Sequence, residues 1–219
     1  EASLLVDSML RKRGIRDSIQ IDFYSPAPIT LPAAGPEVSK KILDLVNSEK
    51  ITFHNSKKII RVEPKKLIFE NDEYSFDILL AIPPHTAPKV IYDSNLAKEP
   101  GFIPINRDCK TPHENIFAVG DVTSLIVTDS MAVPKAGVFA EGEGIAVAKN
   151  IVSKLLSKEP SVLFDGKGGC FLESGRDTAS IIEVDMFADP KPSTRLTEST
   201  KDNLSKKLDF EKERLSKWL

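Results

Sequence analysis

A chain of 219 residues, 41% hydrophobic and 28% charged, can bury a core and fold as one large domain or two modest ones. Its formal charge of −2 gives no general attraction to nucleic acid or an anionic surface, and no apolar run reaches the length of a membrane-spanning helix. The two cysteines, Cys109 and Cys170, are too few and too distant for a disulfide framework, so a reducing, cytoplasmic setting is the expectation.

Residues 3–13 read as an amphipathic helix. Leu4, Leu5, Met9 and Leu10 fall at helical spacing, Arg11, Lys12 and Arg13 suit the negative end of its dipole, and Gly14 stops it. Residues 19–24 alternate like a strand. Pro26, Pro28, Pro32 and Pro36 stiffen the following loop into an extended connection. A second helix over 37–48 carries Val38, Ile42, Leu45 and Val46 on one face. Residues 51–53 form a short strand, and 58–62 with 66–70 a hairpin around Glu63 and Pro64. The run 76–82 is nearly all apolar and predicts a central strand, stopped by Pro83 and Pro84. Helix, strand, helix, strand, hairpin, strand is the order of a βαβ dinucleotide-type domain without its first strand.

Further on, Ile116-Phe117-Ala118-Val119 is too short for a helix and suits a buried parallel strand. Gly120 permits a tight turn and close approach by a ligand. Asp121 then lies at the carboxyl end of that strand, where open α/β sheets bind ligands. Pro134 is predicted as a first helical residue. Val138, Ala140, Ile145, Ala146, Val147, Ala148 and Ile151 make that helix apolar over much of its surface, hence buried. The residues alone leave two readings open. One is a strand, turn and core helix of any α/β protein. The other is a flavin site, in which the carboxylate accepts from a ribityl hydroxyl. The helix start, with free N–H groups and about half a positive charge, would then face the pyrimidine edge.

From about Ser157 the segments 162–164, 170–172 and 179–187, with a glycine-rich turn over 166–169, predict an antiparallel sheet. Residues 189–200 read as a polar linker. The last helix carries Leu204, Leu208, Leu215, Trp218 and Leu219 as a narrow apolar stripe. A phosphate-binding G-x-G-x-x-G loop is absent: Gly166-Lys167-Gly168-Gly169 fails the spacing, and Gly142-Glu143-Gly144 lies inside a predicted helix. His85 falls on a proline-bounded loop. His54 and His113 have no convergent partners in the sequence, and no spacing suggests a metal site.

The run T-P-H-E-N-I-F-A-V-G-D-V-T followed by P-K-A-G-V-F-A-E resembles the second FAD-binding motif of the flavoprotein disulfide reductase superfamily. Within it, the sequence is most similar to the sulfide:quinone oxidoreductase and flavocytochrome c sulfide dehydrogenase-like branch, over most of the chain. The resemblance implies an α/β fold made of the remainder of two Rossmann-like domains plus a small C-terminal α+β domain. Residues 1–100 would be a partial NAD(P)-type domain and 101–156 the C-terminal piece of an FAD-binding domain. Residues 157–219 would be a C-terminal domain ending in an amphipathic helix. Because the resemblance starts partway into the family's pattern, it implies the C-terminal portion of a longer polypeptide.

The same resemblance implies FAD as cofactor, with NAD(P) as a further candidate, sulfide or NAD(P)H as donor and a quinone as acceptor. Gly120, Asp121, Pro134, Lys135, Ala136 and Gly137 would bind the cofactor, Asp121 at the ribityl chain and Lys135 beside a reduced, anionic flavin. Cys170, in F-D-G-K-G-G-C-F-L-E-S-G, matches the segment that carries the second redox cysteine. Its alternative is a small buried hydrophobe in a strand. Cys109 is expected to be incidental. The terminal helix would lie peripherally on a membrane, or pack on its own body or on a second subunit of a homo-oligomer. Two other functions stay open: a type II NADH dehydrogenase-like enzyme, which needs no cysteine pair, and a silent flavoprotein piece acting as a binding or assembly module.

Overall fold

In the computed structural model, which describes residues 1–129, 131–158 and 162–219, the first helix α1 (Ala2–Lys12) buries Leu4, Asp7 and Leu10. A buried carboxylate needs a partner, and Asp7 has two. Arg11 Nε donates to it at 2.7 Å, and Arg16 Nε donates to its other oxygen. Arg16 also donates to the carbonyls of Ile19, Glu49 and Lys50 at 2.6, 3.0 and 2.9 Å. One side chain thus ties α1 to the approaches of two strands, β1 (Ile21–Tyr24) and β2 (Ile51–His54).

These strands run parallel, in register from Ile21↔Ile51 to Tyr24↔His54, and are joined through α2 (Gly35–Ser48), which buries Val38, Ile42 and Val46. The strand period of two puts Ile21, Phe23, Ile51 and Phe53 on one face and Asp22, Tyr24, Thr52 and His54 on the other. An antiparallel meander follows: β3 (Arg61–Glu63), β4 (Lys66–Ile68) and β5 (Glu73–Ser75). Its third strand was not anticipated in the sequence. Nor was the helical turn Pro32–Ala34, where the proline-rich loop leaves the extended form.

Residues 76–82 are not the expected central strand. Ile78, Leu80 and Ile82 are 84%, 69% and 87% exposed. Their composition favours an extended backbone, but a strand also needs a neighbour to pair with: Phe76 N–H donates to the Lys65 carbonyl at 3.0 Å, and beyond it the segment joins none of the described sheets.

Past Pro83 come a short helix α3 (Lys89–Asp93), also not anticipated, and β6 (Ile103–Pro104). β6 pairs in parallel with β7 (Thr123–Ser124), and β8 (Ile126–Thr128) pairs antiparallel with β9 (Met131–Ala132). The long helix α4 (Gly137–Leu155) then leads to β10 (Lys167–Gly175), β11 (Thr178–Asp185), β12 (Ser193–Leu196) and finally α5 (Lys201–Trp218). The chain forms two compact units. Residues 1–82, 171–182 and 194–219 make the first, and 83–170 with 183–193 the second, whose core gathers Ile103, Ile105, Cys109, Leu125, Phe139 and Phe164.

Several expectations fail here for one reason, the choice of partner. Residues 116–119 form no parallel strand. Ala118 N donates to the carbonyl of Cys109 at 3.1 Å and Thr111 N to that of Ile116 at 3.0 Å, so the run folds back on its own loop. Residues 162–164 form no strand either, because Phe164 exchanges hydrogen bonds with Arg107 at 2.7 and 3.0 Å. The supposed linker 189–200 contains β12. The expected domain boundary near Ser157 adjoins residues 159–161, which lie outside those described. On α5, capped by the Thr200 hydroxyl accepting from Asn203 N at 3.1 Å, the packed side carries Asn203 and Phe210. The predicted stripe of Leu208, Leu215, Trp218 and Leu219 is exposed. Among the described residues, no helix is long and apolar enough to cross a membrane.

Candidate functional site

The site lies wholly in the second unit, around the helical turn Gly120–Val122. Gly120 adopts φ +75°, and a Cβ there would sit 3.2 Å from the Cβ of Ala140. Glycine is therefore favoured twice, by the backbone angle and by the closeness of α4. The turn is held at both ends. Gly120 N–H donates to Glu143 Oε2 at 2.6 Å, and the Thr123 hydroxyl donates to the Gly120 carbonyl at 2.8 Å. Asp121 projects from it into solvent.

Helix α4 starts later than its proline suggested. Pro134 and Lys135 precede it, Ala136 is its N-cap in an extended conformation, and Gly137 is the first helical residue. Pro134 disfavours a helical residue before it. The Lys135 amine then reaches back to the Thr123 carbonyl at 2.7 Å, which holds the approach extended. No side chain caps the helix. The amides of Phe139 and Ala140 are taken by the Ala136 carbonyl, at 3.0 and 3.1 Å, while those of Gly137 and Val138 precede the first such bond and point out along the axis. A Cβ on Gly137 would meet nothing within 4 Å, so this end is open. The helix is not buried all round as expected: Ile145, Ile151 and Val152 are exposed, whereas Glu143 and Asn150 are buried.

Gly120, Thr123, Pro134, Lys135, Ala136 and Glu143 line a crevice with about 10 Å³ of free space, room for one water. A planar group can therefore lie against its mouth but not inside it. Lys135 Nζ stands 3.6 Å from the centroid of the Phe102 ring. Burial lowers the proton affinity of Lys135, while Asp121 and Glu143 pull it back up. Burial raises Glu143, against the pull of the Gly120 amide and Lys135. Together the helix start and the ammonium can stabilise negative charge, and the Asp121 carboxylate can accept from hydroxyls.

Cys170 lies exposed on β10, which does not fit a small buried hydrophobe. Two residues earlier, Gly168 faces the first turn of α4: a Cβ there would be 2.6 Å from Phe139 Cε1. Alternation along a strand puts the Cys170 side chain on that same side. Cys109 is different. It is buried at 0% exposure, and burial, with Glu143 and Asp108, pushes its thiol up to about 12, so it stays protonated and inert. His85 and His113 are exposed and join neither group. His54, by contrast, does have a partner, Asp22 at 2.7 Å. No cluster able to hold a metal occurs among the described residues.

Neither Glu143, which lines the crevice, nor Phe102, whose ring lies against Lys135, was singled out as a site residue in the sequence. A carboxylate among apolar residues of a core helix is the signal that would have revealed Glu143. Nothing local marks Phe102.

The sequence model of the family described as "Pyridine nucleotide-disulphide oxidoreductase" matches residues 21–145. Over 208 residues the chain is 26% identical to a sulfide-quinone reductase of Aquifex aeolicus, covering 87% of this chain and 47% of that protein. Over 199 residues it is 22% identical to a mitochondrial sulfide:quinone oxidoreductase of Schizosaccharomyces pombe, covering 86% and 42%. The X-ray structure of the sulfide:quinone oxidoreductase from Aquifex aeolicus matches with a TM-score of 0.86 at 25% identity, over 98% of this chain and 53% of that one. The chain spans about half the length of the curated relatives it matches.

Proposed function

Because the chain belongs to the pyridine nucleotide-disulphide oxidoreductase family, we propose that its Gly120–Gly137 crevice holds the flavin of an FAD-dependent oxidoreductase that takes electrons from sulfide and delivers them to a quinone. The observation that carries this reading is the meeting of three things at one mouth: the uncapped start of α4, the Lys135 ammonium and the Gly120–Asp121 turn. These residues fit a flavin chemically. Asp121 accepts from ribityl hydroxyls, and the outward amides at Gly137 with Lys135 favour an electron-rich pyrimidine edge. Pro134 and Ala136 keep the approach extended so that Lys135 stays in place. A bound flavin would supply the two-electron acceptor for sulfide sulfur and pass those electrons to quinone.

Cys170 is the thiol assigned to the sulfur. Its exposure lets sulfide reach it, and its place on the strand facing the first turn of α4 keeps it on the crevice side. In this scheme residues 1–100 belong to an NAD(P)-type Rossmann-like half, 101–156 to the FAD-binding domain and 157–219 to a C-terminal domain. The exposed stripe of Leu208, Leu215, Trp218 and Leu219 suits peripheral contact with the membrane that contains the quinone.

The test is the visible spectrum of the purified chain after incubation with FAD and desalting. Retained flavin bands that sulfide bleaches, with bleaching lost in Cys170→Ser, are the expected result. Bleaching by NADH but not sulfide would replace the donor with a nicotinamide. A chain that stays colourless overturns the flavin reading for these residues.

A further inference from the structure

Glu143 takes no part in the roles assigned above, yet it is only 2% exposed and sits against the centre of the site. Its Oε2 accepts the Gly120 amide at 2.6 Å, so the turn that presents Asp121 hangs on a side chain from α4. A neutral acceptor could also take that hydrogen bond, though more weakly than a carboxylate. A carboxylate buried this deeply is costly unless a positive charge answers it. The cation lining the same crevice is Lys135, held by the Thr123 carbonyl and the Phe102 ring at 2.7 and 3.6 Å. Other ionisable groups nearby add only negative or neutral character. Asp121 is exposed beyond the turn, Asp108 is on the loop behind Cys109, and Cys109 places its Sγ 4.0 Å from the Glu143 carbonyl oxygen. Lys135 in turn is drawn toward neutrality by burial and held charged by Asp121 and Glu143.

We infer that Glu143 is a positioning residue of this site: it fixes the Gly120–Asp121 turn through one hydrogen bond and, as the buried counter-charge of Lys135, keeps that amine charged at the start of α4. The inference rests on the flavin reading for its purpose, but its two physical claims are properties of the chain alone. They concern two observables, the exchange of the Gly120 amide and the reactivity of the Lys135 amine.

The experiment compares wild type, Glu143→Gln and Glu143→Asp without flavin. Lys135 is followed by pulse labelling with acetic anhydride at pH 7 and mass spectrometry, and Gly120 by amide hydrogen exchange. Glutamine keeps an acceptor and removes the charge. Lys135 labelling should therefore rise at least about threefold, while Gly120 exchange stays near the wild-type rate. Aspartate keeps the charge but is one methylene shorter. It should leave labelling near wild type and speed Gly120 exchange about tenfold or more. Unchanged Lys135 labelling in Glu143→Gln would overturn the inference, because the carboxylate would then be no more than a hydrogen-bond acceptor. Should the glutamine variant not fold, faster Lys135 labelling in the folded aspartate variant would overturn it equally. Failure of the wild-type chain to retain FAD, with these labelling results intact, would sink the flavin reading and leave the Glu143 role standing.

Discussion

Each unit carries a pair of parallel strands with polar side chains near one end, and the two pairs treat those side chains in opposite ways. In the first, Asp22 and His54 satisfy each other and Tyr24 packs on the pair. His54 Nε2 lies 2.7 Å from Asp22, and its ring stacks on Tyr24 at 4.3 Å and 6°. The meander then closes over them, with Phe69 and Tyr74 rings 5.3 and 5.2 Å from Tyr24. Burial, with Asp22 and Tyr74 adding, pushes the Tyr24 hydroxyl up to about 12. In the second, β6 and β7 pair over only two residues, and the groups beside them, Asp121 and the start of α4, face outward. Polar residues at strand ends are thus no evidence of a site by themselves. What distinguishes the second unit is that its donors and acceptors are held in position by buried neighbours and still left open.

Four substitutions sharpen this contrast. Asp7→Asn should have the largest effect, about 3 kcal/mol of stability, because Arg16 would keep its burial and lose its counter-charge. Burial alone would raise the Asp7 carboxyl, but Arg11 and Arg16 outweigh it and hold it below its ordinary value of 3.8. Its folded value lies below its unfolded one, so this contribution is complete above that pH and is lost as pH falls further. The gap in urea midpoint between wild type and variant should be flat from about pH 7 to 5 and shrink below about pH 4.

Gly120→Val should cost about 2 kcal/mol, from a positive φ and a Cβ driven at Ala140, and should abolish FAD retention after desalting. Asp22→Asn should cost about 1 kcal/mol in the same urea titration and leave FAD retention unchanged. A loss of flavin there would erase the distinction between the two strand pairs. The smallest effect on stability belongs to Trp218→Ala, 60% exposed on α5, which should shift unfolding by less than about 0.5 kcal/mol. The same change should lower co-sedimentation with liposomes of zwitterionic and anionic lipid. Equal sedimentation of both proteins would remove α5 from the membrane contact.

Local signals made a good part of this chain legible. The helices α1, α2 and α5 and the strands β1 and β2 lie where spacing put them, to within a few residues. The Gly120–Asp121 turn could also be found, because a glycine ending a short apolar run favours a tight turn, and its φ of +75° agrees. Lys135 and Cys170 were singled out only through the family resemblance, since neither residue type is unusual in its local context.

Sequence by itself determined where α1, α2, α5, β1 and β2 form and that a turn falls at Gly120, because these follow from steric preferences of neighbouring residues. Tertiary structure alone decided what each segment pairs with. Residues 76–82 have the composition of a central strand and lie exposed, and residues 116–119 turn back on their own loop. It also decided which face of α5 is covered and that Glu143, 23 residues along the chain, would hold the Gly120 amide. Hydrogen bonds and burial between distant residues depend on which surfaces meet, and no local pattern specifies that.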